Sequence, residues 1–439
     1  MSVPGEARSE AVARFKDRRF GLFVHFGLYS LAARGEWMRH RERTADADYQ
    51  QYFDHFDPDL YDPRDLAARA EAAGAKYVVV TTKHHEGFCL WDSDLSDFTA
   101  VHTPYGRDLL APLVEALRER GLGVGLYHSV IDWHHPQFPL DGLHPLRDDP
   151  TALAGQPRRD IAKYREYLHG QVRELLTRFG PIDELWLDFS YPDHIHEGTP
   201  VWGGKGAADW GGEELLAMVR ELQPGALVND RLGVTGDFVT PEQFQPSEPV
   251  LRDGRPVPWE ACQTINGTWG YDRDNQQHKS PDLLLRMLVD TVSKDGNLLL
   301  NVGPTGRGEL DPVARRTLAE IGEWMLRHDR SIHGAGPSEF TPPPDCRYTQ
   351  RDDRLYLHLF AWPFETVHLP GLAGRVDYAQ FLHDASEVAL EIHDHARAAT
   401  MTDEPPQPPG TLTLRLPVRR PDEAIPVVEL FLREPRDVP

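Results

Sequence analysis

Short apolar segments alternate with longer amphipathic segments between residues 20 and about 335. Apolar runs too brief for a helix predict strands, and residues with helical periodicity ending at Gly or basic positions predict helices. The predicted strands are 20–27, 77–82, 124–128, 184–191, 226–231, 261–265 and 297–302, and the predicted helices are 64–74, 108–121, 158–179, 213–223, 281–294 and 311–327. Repeated strand–helix units imply parallel strands with right-handed crossovers, which predicts an α/β fold, a (β/α)8-like (TIM) barrel.

The pattern changes after about residue 340, where short segments of alternating apolar and polar residues are separated by turns rich in Pro, Gly and Asp. These segments are 354–362, 366–369, 387–392, 411–416 and 427–432. Alternation with a period of two predicts an antiparallel β-sandwich. We therefore expect a catalytic barrel over 1–338 and a C-terminal β-sandwich domain over 339–439, with a long loop at 232–258 in the barrel.

Composition narrows the classes of partner. A hydrophobic fraction of 40% fits a soluble globular protein, and the formal charge of −22 argues against nucleic acid and anionic membranes as partners. The three cysteines are too widely separated for a disulfide framework or a paired-cysteine metal site. The first twenty residues lack the apolar core of a signal peptide, so a cytoplasmic location is expected.

Polar side chains collect at the ends of successive predicted strands, where the catalytic residues of a (β/α)8 barrel lie. They are His25, His84, His85, His128, Asp188 and Arg231, with Glu36 and Trp37 in the loop after the first strand and His134 and His135 after the third. One interpretation is a metal site built from these histidines and Asp188. Against it, adjacent histidines on a strand point to opposite faces and no His-x-His pair occurs on the early strands, so we expect no metal.

The competing interpretation is glycoside hydrolysis, which needs two carboxyl groups beside the scissile bond. Asp188, in an otherwise apolar strand, can supply the first. Glu242, on the 232–258 loop, is a candidate for the second, although it could equally be an exposed loop carboxylate. Glu260 competes with it, but a carboxyl that starts a strand faces the wrong end of the barrel. Spacing alone leaves this choice open.

Six segments bring a known family into view: RFGLFVHFGLYSLAARGEWM (19–38), YVVVTTKHHEGFCLWDS (77–93), ELWLDFS (184–190), VNDR (228–231), WEACQTINGTWGY (259–271) and DGNLLLNVGPTGRGEL (295–310). In order and across nearly the whole barrel, they resemble the α-L-fucosidases of glycoside hydrolase family 29. The resemblance implies a retaining mechanism with Asp188 as the nucleophile and Glu242 as the acid/base. It also implies sugar contacts from His25, Glu36, Trp37, His84, His85, His128, Trp186 and Arg231, and it places Trp269 near the sugar.

The resulting hypothesis is a retaining, exo-acting α-L-fucosidase that removes terminal α-linked L-fucose from oligosaccharides or glycoconjugates through a covalent fucosyl-enzyme intermediate. No cofactor is expected. A related exo-glycosidase acting on α-L-galactosides is the nearest alternative, because one substituent on C5 distinguishes the two sugars by only ~1–3 kcal/mol. A non-catalytic fucose-binding lectin on the same scaffold is the alternative from another class. The predicted β-sandwich could contribute a subunit contact to a homo-oligomer or cover the flank of the barrel.

Overall fold

The computed structural model describes residues 4–193, 195–196, 198–392 and 407–433. A curled sheet of seven parallel strands surrounded by helices extends to residue 302, and antiparallel sheets follow it. This architecture confirms the predicted fold class. No helix in the described ranges is long and apolar enough to span a membrane.

The seven parallel strands carry the barrel. They are β1 (Phe20–Val24), β2 (Tyr77–Lys83), β3 (Gly123–Ser129), β4 (Glu184–Asp188), β5 (Leu227–Val228), β6 (Glu260–Thr264) and β7 (Asn297–Val302). Their order in the sheet is β6-β7-β1-β2-β3-β4-β5. Every residue of these strands is buried, because the barrel interior covers one face and the helices cover the other.

Three strands are shorter than predicted, and the one predicted at 184–191 ends at Asp188. The first ends at Val24, not at residue 27, because the chain turns there into a short helix. The strand predicted at 226–231 contains only two residues. The side chain of Asn229 accepts a hydrogen bond from the backbone N–H of Leu187 at 3.1 Å, so an amide oxygen takes the place of the next ladder bond and the strand stops.

Part of the predicted 232–258 loop closes the barrel. The edge strands β5 and β6 are joined through the segment 238–242, which pairs by isolated bridges between Asn229 and Phe238, Val239 and Trp259, and Glu242 and Cys262. Pro241 lies within this segment and has no N–H to donate, which prevents a continuous ladder. The segment nevertheless occupies the position of an eighth strand, and it places Glu242 at the same end of the barrel as Asp188.

Helices surround the sheet: Pro4–Arg18, Leu28–Ala32, Met38–Arg41, Asp46–Asp54, Pro63–Ala72, Leu110–Glu119, Pro150–Gly155, Ile161–Arg178, Ala207–Trp210, Gly212–Leu222, Pro281–Ser293 and Pro312–His328, with 3-10 turns at Ala100–His102, Gln156–Arg158 and Asp329–Ser331. Two short hairpins, Ile195–His196 with Thr199–Pro200 and Leu251–Arg252 with Arg255–Pro256, lie in the connecting loops. The side chain of Ser280 caps its helix by accepting from the backbone N–H of Leu283, and Pro281 occupies the first helical position, as the sequence predicts.

The C-terminal strands form two antiparallel sheets. They are β8 (Cys346–Arg351), β9 (Arg354–Leu359), β10 (Thr366–Leu369), β11 (Val376–Phe381), β12 (Ala389–Glu391), β13 (Leu412–Arg415) and β14 (Val427–Leu432), ordered β8-β9-β14-β11 and β10-β13-β12. The sequence did not predict β8 and β11, and in β11 a shift of register between Val376 and Tyr378 interrupts the alternation.

The two parts of the chain share a buried contact. The indole of Trp324, on the last barrel helix, donates to the backbone oxygen of Ile425 at 2.9 Å, and Ile425 belongs to the same apolar cluster as the barrel. The division at residues 338 and 339 remains a prediction. Residues 1–3, 194, 197, 393–406 and 434–439 of the two predicted domains lie outside the described part of the chain.

Candidate active site

Asp188 is the last residue of β4, and its carboxylate has two partners. The Tyr127 hydroxyl donates to Oδ2 at 2.8 Å, and Nη1 of Arg231 donates to Oδ1 at 3.2 Å. Burial and the adjacent carboxylate raise the pKa of Tyr127 well above its ordinary value, so the phenol keeps its proton and acts as a donor. These charge-assisted hydrogen bonds compensate the cost of placing a carboxylate that is only 10% exposed in an apolar strand.

Arg231 connects Asp188 to Glu242. Its Nη1 also donates to Oε2 of Glu242 at 2.6 Å, so one guanidinium nitrogen contacts both carboxylates. Nε and Nη2 donate to the side-chain and backbone oxygens of Thr240, at 2.8 and 3.1 Å, which fixes the plane of the guanidinium. The cation lies 4.8 Å above the ring of Trp186. Arg231 therefore holds the two candidate catalytic carboxylates at one place.

Glu260, the competing carboxylate, lies elsewhere in the barrel. It starts β6, in register with the first residue of β7, and so lies at the end of the sheet opposite Asp188. It accepts hydrogen bonds from the Tyr77 hydroxyl at 2.5 Å and from the Trp186 indole at 2.8 Å. Burial raises its pKa to about 7, against the opposing effect of these two hydrogen bonds. Glu260 supports the floor of the site and does not line the cavity beside Asp188.

His25 and His85 present neutral imidazoles to this cavity. Nδ1 of His25 bonds the side chain of Asn301 at 2.6 Å, and Nδ1 of His85 bonds the hydroxyl of Ser129 at 2.7 Å. Burial lowers the pKa of both rings well below the ordinary value, and neighbouring imidazoles reinforce the effect. A neutral ring anchored through Nδ1 can use Nε2 to bond a sugar hydroxyl.

His84 and His85 both line the cavity, with ring centroids 4.0 Å apart. The expectation that adjacent histidines point to opposite faces is wrong here, because β2 ends at Lys83 and the chain turns before alternation applies. His134 and His135 stack on rings outside the cavity, at 3.9 and 4.2 Å. Within the described ranges, no group of three or more His, Cys, Asp or Glu side chains is placed to hold a metal ion.

Aromatic rings complete the cavity, which encloses about 360 Å³. Trp37 packs against His85 at 5.1 Å and against Phe189 at 5.4 Å. Such a mixture of flat apolar faces and imidazole nitrogens suits a sugar, which has both hydroxyls and apolar patches. The lining residues are Phe23, His25, Trp37, His84, His85, Tyr127, Trp186, Asp188, Phe189, Arg231, Glu242, Cys262 and Trp269. Nine of the eleven predicted site residues are among them.

Glu36 is one of the two that are not. Its Oε2 accepts hydrogen bonds from the backbone N–H groups of Trp269 and Gly270, at 3.1 and 2.8 Å, and the side chain is buried. Glu36 thus fixes the loop that carries Trp269 into the cavity.

His128 is the other, and the structure places it outside the cavity. Neighbouring strand residues point to opposite faces, and Tyr127 points inward, so His128 points toward the helices. There it is fully buried, with Nδ1 2.9 Å from the hydroxyl of Thr82. The predicted sugar contact from His128 is therefore corrected to a packing role.

Four lining residues were missed: Phe23, Tyr127, Phe189 and Cys262. Two could have been found from spacing. Phe23 precedes His25 by two residues and so shares its face, and Tyr127 pairs in register with Trp186. Cys262 approaches Nη2 of Arg231 at 3.6 Å, a contact that depends on closure of the barrel by segment 238–242.

Comparison with known proteins gives this geometry a family. A sequence model described as alpha-L-fucosidase matches residues 4–330. The chain belongs to the alpha-L-fucosidase family. This membership confirms the predicted resemblance and the prediction that the chain is a glycoside hydrolase.

Individual relatives agree over most of the chain. Plasma alpha-L-fucosidase of Rattus norvegicus is 30% identical over 431 residues, covering 90% of this chain and 85% of that one. The structure of alpha-L-fucosidase isoenzyme 1 from Paenibacillus thiaminolyticus superposes with a TM-score of 0.88 at 42% identity, covering 98% and 100% of the two chains. A GH29 alpha-L-fucosidase from Bacteroides thetaiotaomicron, trapped as a covalent intermediate with 2-fluoro-fucosyl fluoride, superposes with a TM-score of 0.81 at 26% identity, covering 97% and 96%.

Proposed function

We propose that this chain is a retaining, exo-acting α-L-fucosidase that removes terminal α-linked L-fucose from oligosaccharides or glycoconjugates. The observation that carries the proposal is the shared guanidinium nitrogen of Arg231. Because Oδ1 of Asp188 and Oε2 of Glu242 both bond it, at 3.2 and 2.6 Å, these oxygens are less than about 6 Å apart. Retaining glycosidases place their carboxyls roughly 5–5.5 Å apart and inverting ones roughly 6.5–9.5 Å apart.

In the first step, an oxygen of Asp188 attacks C1 of the fucosyl unit. The bond from C1 to the leaving-group oxygen breaks, its electron pair stays on that oxygen, and the proton of Glu242 moves to it. In the second step, Glu242 takes a proton from water, the water oxygen attacks C1, and the ester to Asp188 breaks. Glu242 regains its proton in the second step, which closes the cycle, and its side chain is 37% exposed, so the attacking water can reach it.

The surrounding residues orient Asp188 and the sugar. Tyr127 bonds Oδ2 and Arg231 bonds Oδ1, which holds the carboxylate in one orientation and stabilises its charge when the ester breaks. His25, His84 and His85 are placed to contact sugar hydroxyls. The small cavity suits one terminal sugar, in keeping with exo action, and the covalent intermediate of the Bacteroides relative supports the two-step route.

Proton NMR of an aryl α-L-fucoside digest tests this proposal. The expected result is release of α-L-fucose first, with β-L-fucose appearing only as the product mutarotates, and no turnover by Asp188→Ala. Initial release of β-L-fucose would contradict retention. If an aryl α-L-galactoside is turned over faster than the aryl α-L-fucoside, the substrate is an α-L-galactoside. If the protein binds fucose without turnover, it is a lectin.

A further inference from the structure

An open groove adjoins the sugar cavity, and most of its lining residues have no part in the mechanism described above. It encloses about 840 Å³ and shares Asp188, Phe189 and Arg231 with the cavity. Its remaining lining residues come from the loop after β4 and from the turn after β5: Ser190, Tyr191, Pro192, Asp230, Gly233 and Thr240. The groove is therefore continuous with the place where the glycosidic bond is cleaved.

The order of the strands in the barrel determines which part of the substrate lies in this groove. Asp188 ends β4, Glu242 ends the bridging segment, and β5 with Arg231 lies between them. A bond cleaved between the two carboxylates consequently lies beside Arg231, where the groove begins. The group attached to the leaving oxygen therefore lies in the groove, between the loop after β4 and the turn after β5.

The groove walls carry hydrogen-bonding groups with unused capacity. Asp230 is half-buried, and its Oδ1 accepts from the hydroxyl of Thr240 at 2.9 Å, while Oδ2 has no partner among the described residues. The hydroxyl oxygen of Ser190 accepts from the Trp210 indole at 2.9 Å, so its own hydrogen can be donated to a ligand. The lining of the groove thus offers one acceptor and one donor, which match the hydroxyls of a sugar.

The charge of the groove restricts the ligand further. Among the described residues that line the groove, Arg231 is the one that is basic, and its Nη1 is already engaged by Asp188 and Glu242. Asp230 adds a further carboxylate to this lining, so it repels a carboxylate or sulfate placed beside it.

Backbone conformation keeps the groove open. Phe189 has a φ of 90°, a region that residues with a bulky side chain rarely occupy, and the turn directs its ring between the cavity and the groove. Gly233 has a φ of 82°, and a Cβ atom there would lie 3.2 Å from the hydroxyl of Ser190. A side chain at Gly233 would therefore narrow the space in front of Ser190.

We infer that this groove is the subsite for the first sugar of a neutral, hydroxyl-rich leaving group, and that Asp230 selects against anionic leaving groups there. The inference rests on the proposed fucosidase function. It specifies the class of substrate: a fucosylated neutral oligosaccharide is cleaved in preference to one carrying a sulfate or carboxylate on the sugar next to fucose.

The test compares two ratios of kcat/KM. Fucosyl disaccharides of the α1,2, α1,3, α1,4 and α1,6 linkages are screened, and the best one is measured against an aryl α-L-fucoside and against its own form sulfated on the second sugar. Because both substrates carry the same fucosyl unit, the first ratio cancels any change confined to fucose binding or to Asp188 and reports on the leaving group. The variants are Asp230→Ala, Asp230→Asn and Ser190→Ala. The control is Asp253→Asn, which makes the same charge change at an exposed hairpin turn away from the groove.

The wild type should prefer the neutral disaccharide to the sulfated one by about tenfold or more, and Asp230→Asn should reduce this preference. Asp230→Ala should lower the ratio of disaccharide to aryl fucoside by about tenfold, the effect of one lost charged hydrogen bond, and Ser190→Ala by less. The inference is overturned if these ratios match those of Asp253→Asn, or if the wild type cleaves the aryl fucoside but none of the disaccharides. Failure to cleave even the aryl fucoside would instead refute the proposed function.

Discussion

Replacing Glu260 with glutamine should make the protein more resistant to unfolding at alkaline pH relative to the wild type. Burial raises the pKa of Glu260 from 4.5 to about 7, so the folded protein binds this proton more tightly than the unfolded chain does. For an acid with a raised pKa, stability is complete below the unfolded value and is lost as pH rises through the folded value. A glutamine has the same shape, never ionises, and should show no such loss.

The size of the effect follows from the two pKa values. Each pKa unit corresponds to about 1.4 kcal/mol, so ionising Glu260 in place destabilises the wild type by about 3 kcal/mol above pH ~8. The nearby Glu184 is also buried, and burial together with the charge of Glu260 raises its pKa well above the ordinary value. The amide oxygen of glutamine can accept from the Trp186 indole, and its NH2 group can donate to the Tyr77 hydroxyl, which accepts as well as donates.

Urea unfolding of both proteins at a series of pH values from about 4.5 to 8.5 measures this. The difference in unfolding free energy should grow by about 3 kcal/mol in favour of Glu260→Gln across that range. Glu320→Gln, at an exposed position on the helix Pro312–His328, is the matched control and should show no such growth. A difference that stays constant with pH would refute the assignment of a raised pKa to Glu260.

Two further predictions concern the walls of the site. Tyr127→Phe, which removes the donor to Oδ2 of Asp188, should lower kcat/KM for an aryl fucoside by about tenfold or more while the urea midpoint changes little; an unchanged kcat/KM would show that this hydrogen bond is dispensable. His25→Ala should lower kcat/KM by about tenfold, whereas His128→Ala should lower the urea midpoint and leave kcat/KM within about threefold. A lower kcat/KM for His128→Ala together with an unchanged kcat/KM for His25→Ala would instead support a sugar contact from His128.

The sequence predicted the barrel and most of its strands because buried parallel strands are nearly continuous apolar runs, and helix starts such as Ser280-Pro281 are local signals. Site residues at strand ends were likewise predictable, since topology brings those ends together. The predicted sugar contact of His128 was wrong because a family resemblance does not by itself give the direction of a side chain. The alternation of side chains along the strand, relative to Tyr127, gives that direction. Glu36 supports the Trp269 loop through backbone contacts that no local pattern encodes, and its contact with the sugar stays a prediction.

The closure of the barrel lay beyond local signals. Segment 238–242 contains Pro241 and pairs only by isolated bridges, so its sequence is typical of a loop. Its position is set by tertiary contacts, above all the bonds from Arg231 to Thr240 and Glu242. The choice between Glu242 and Glu260 could for this reason be stated from the sequence but not resolved by it.

Azide rescue of an aryl α-L-fucoside digest tests the central assignment most directly. With Glu242→Ala, azide should attack the accumulated fucosyl-enzyme and give α-L-fucosyl azide, with a faster rate than without azide. Asp188→Ala should be inactive, or give only β-L-fucosyl azide, because azide then occupies the place of the missing carboxylate. Glu260→Ala should show no rescue. Formation of α-L-fucosyl azide by Glu260→Ala, with none from Glu242→Ala, would contradict the account.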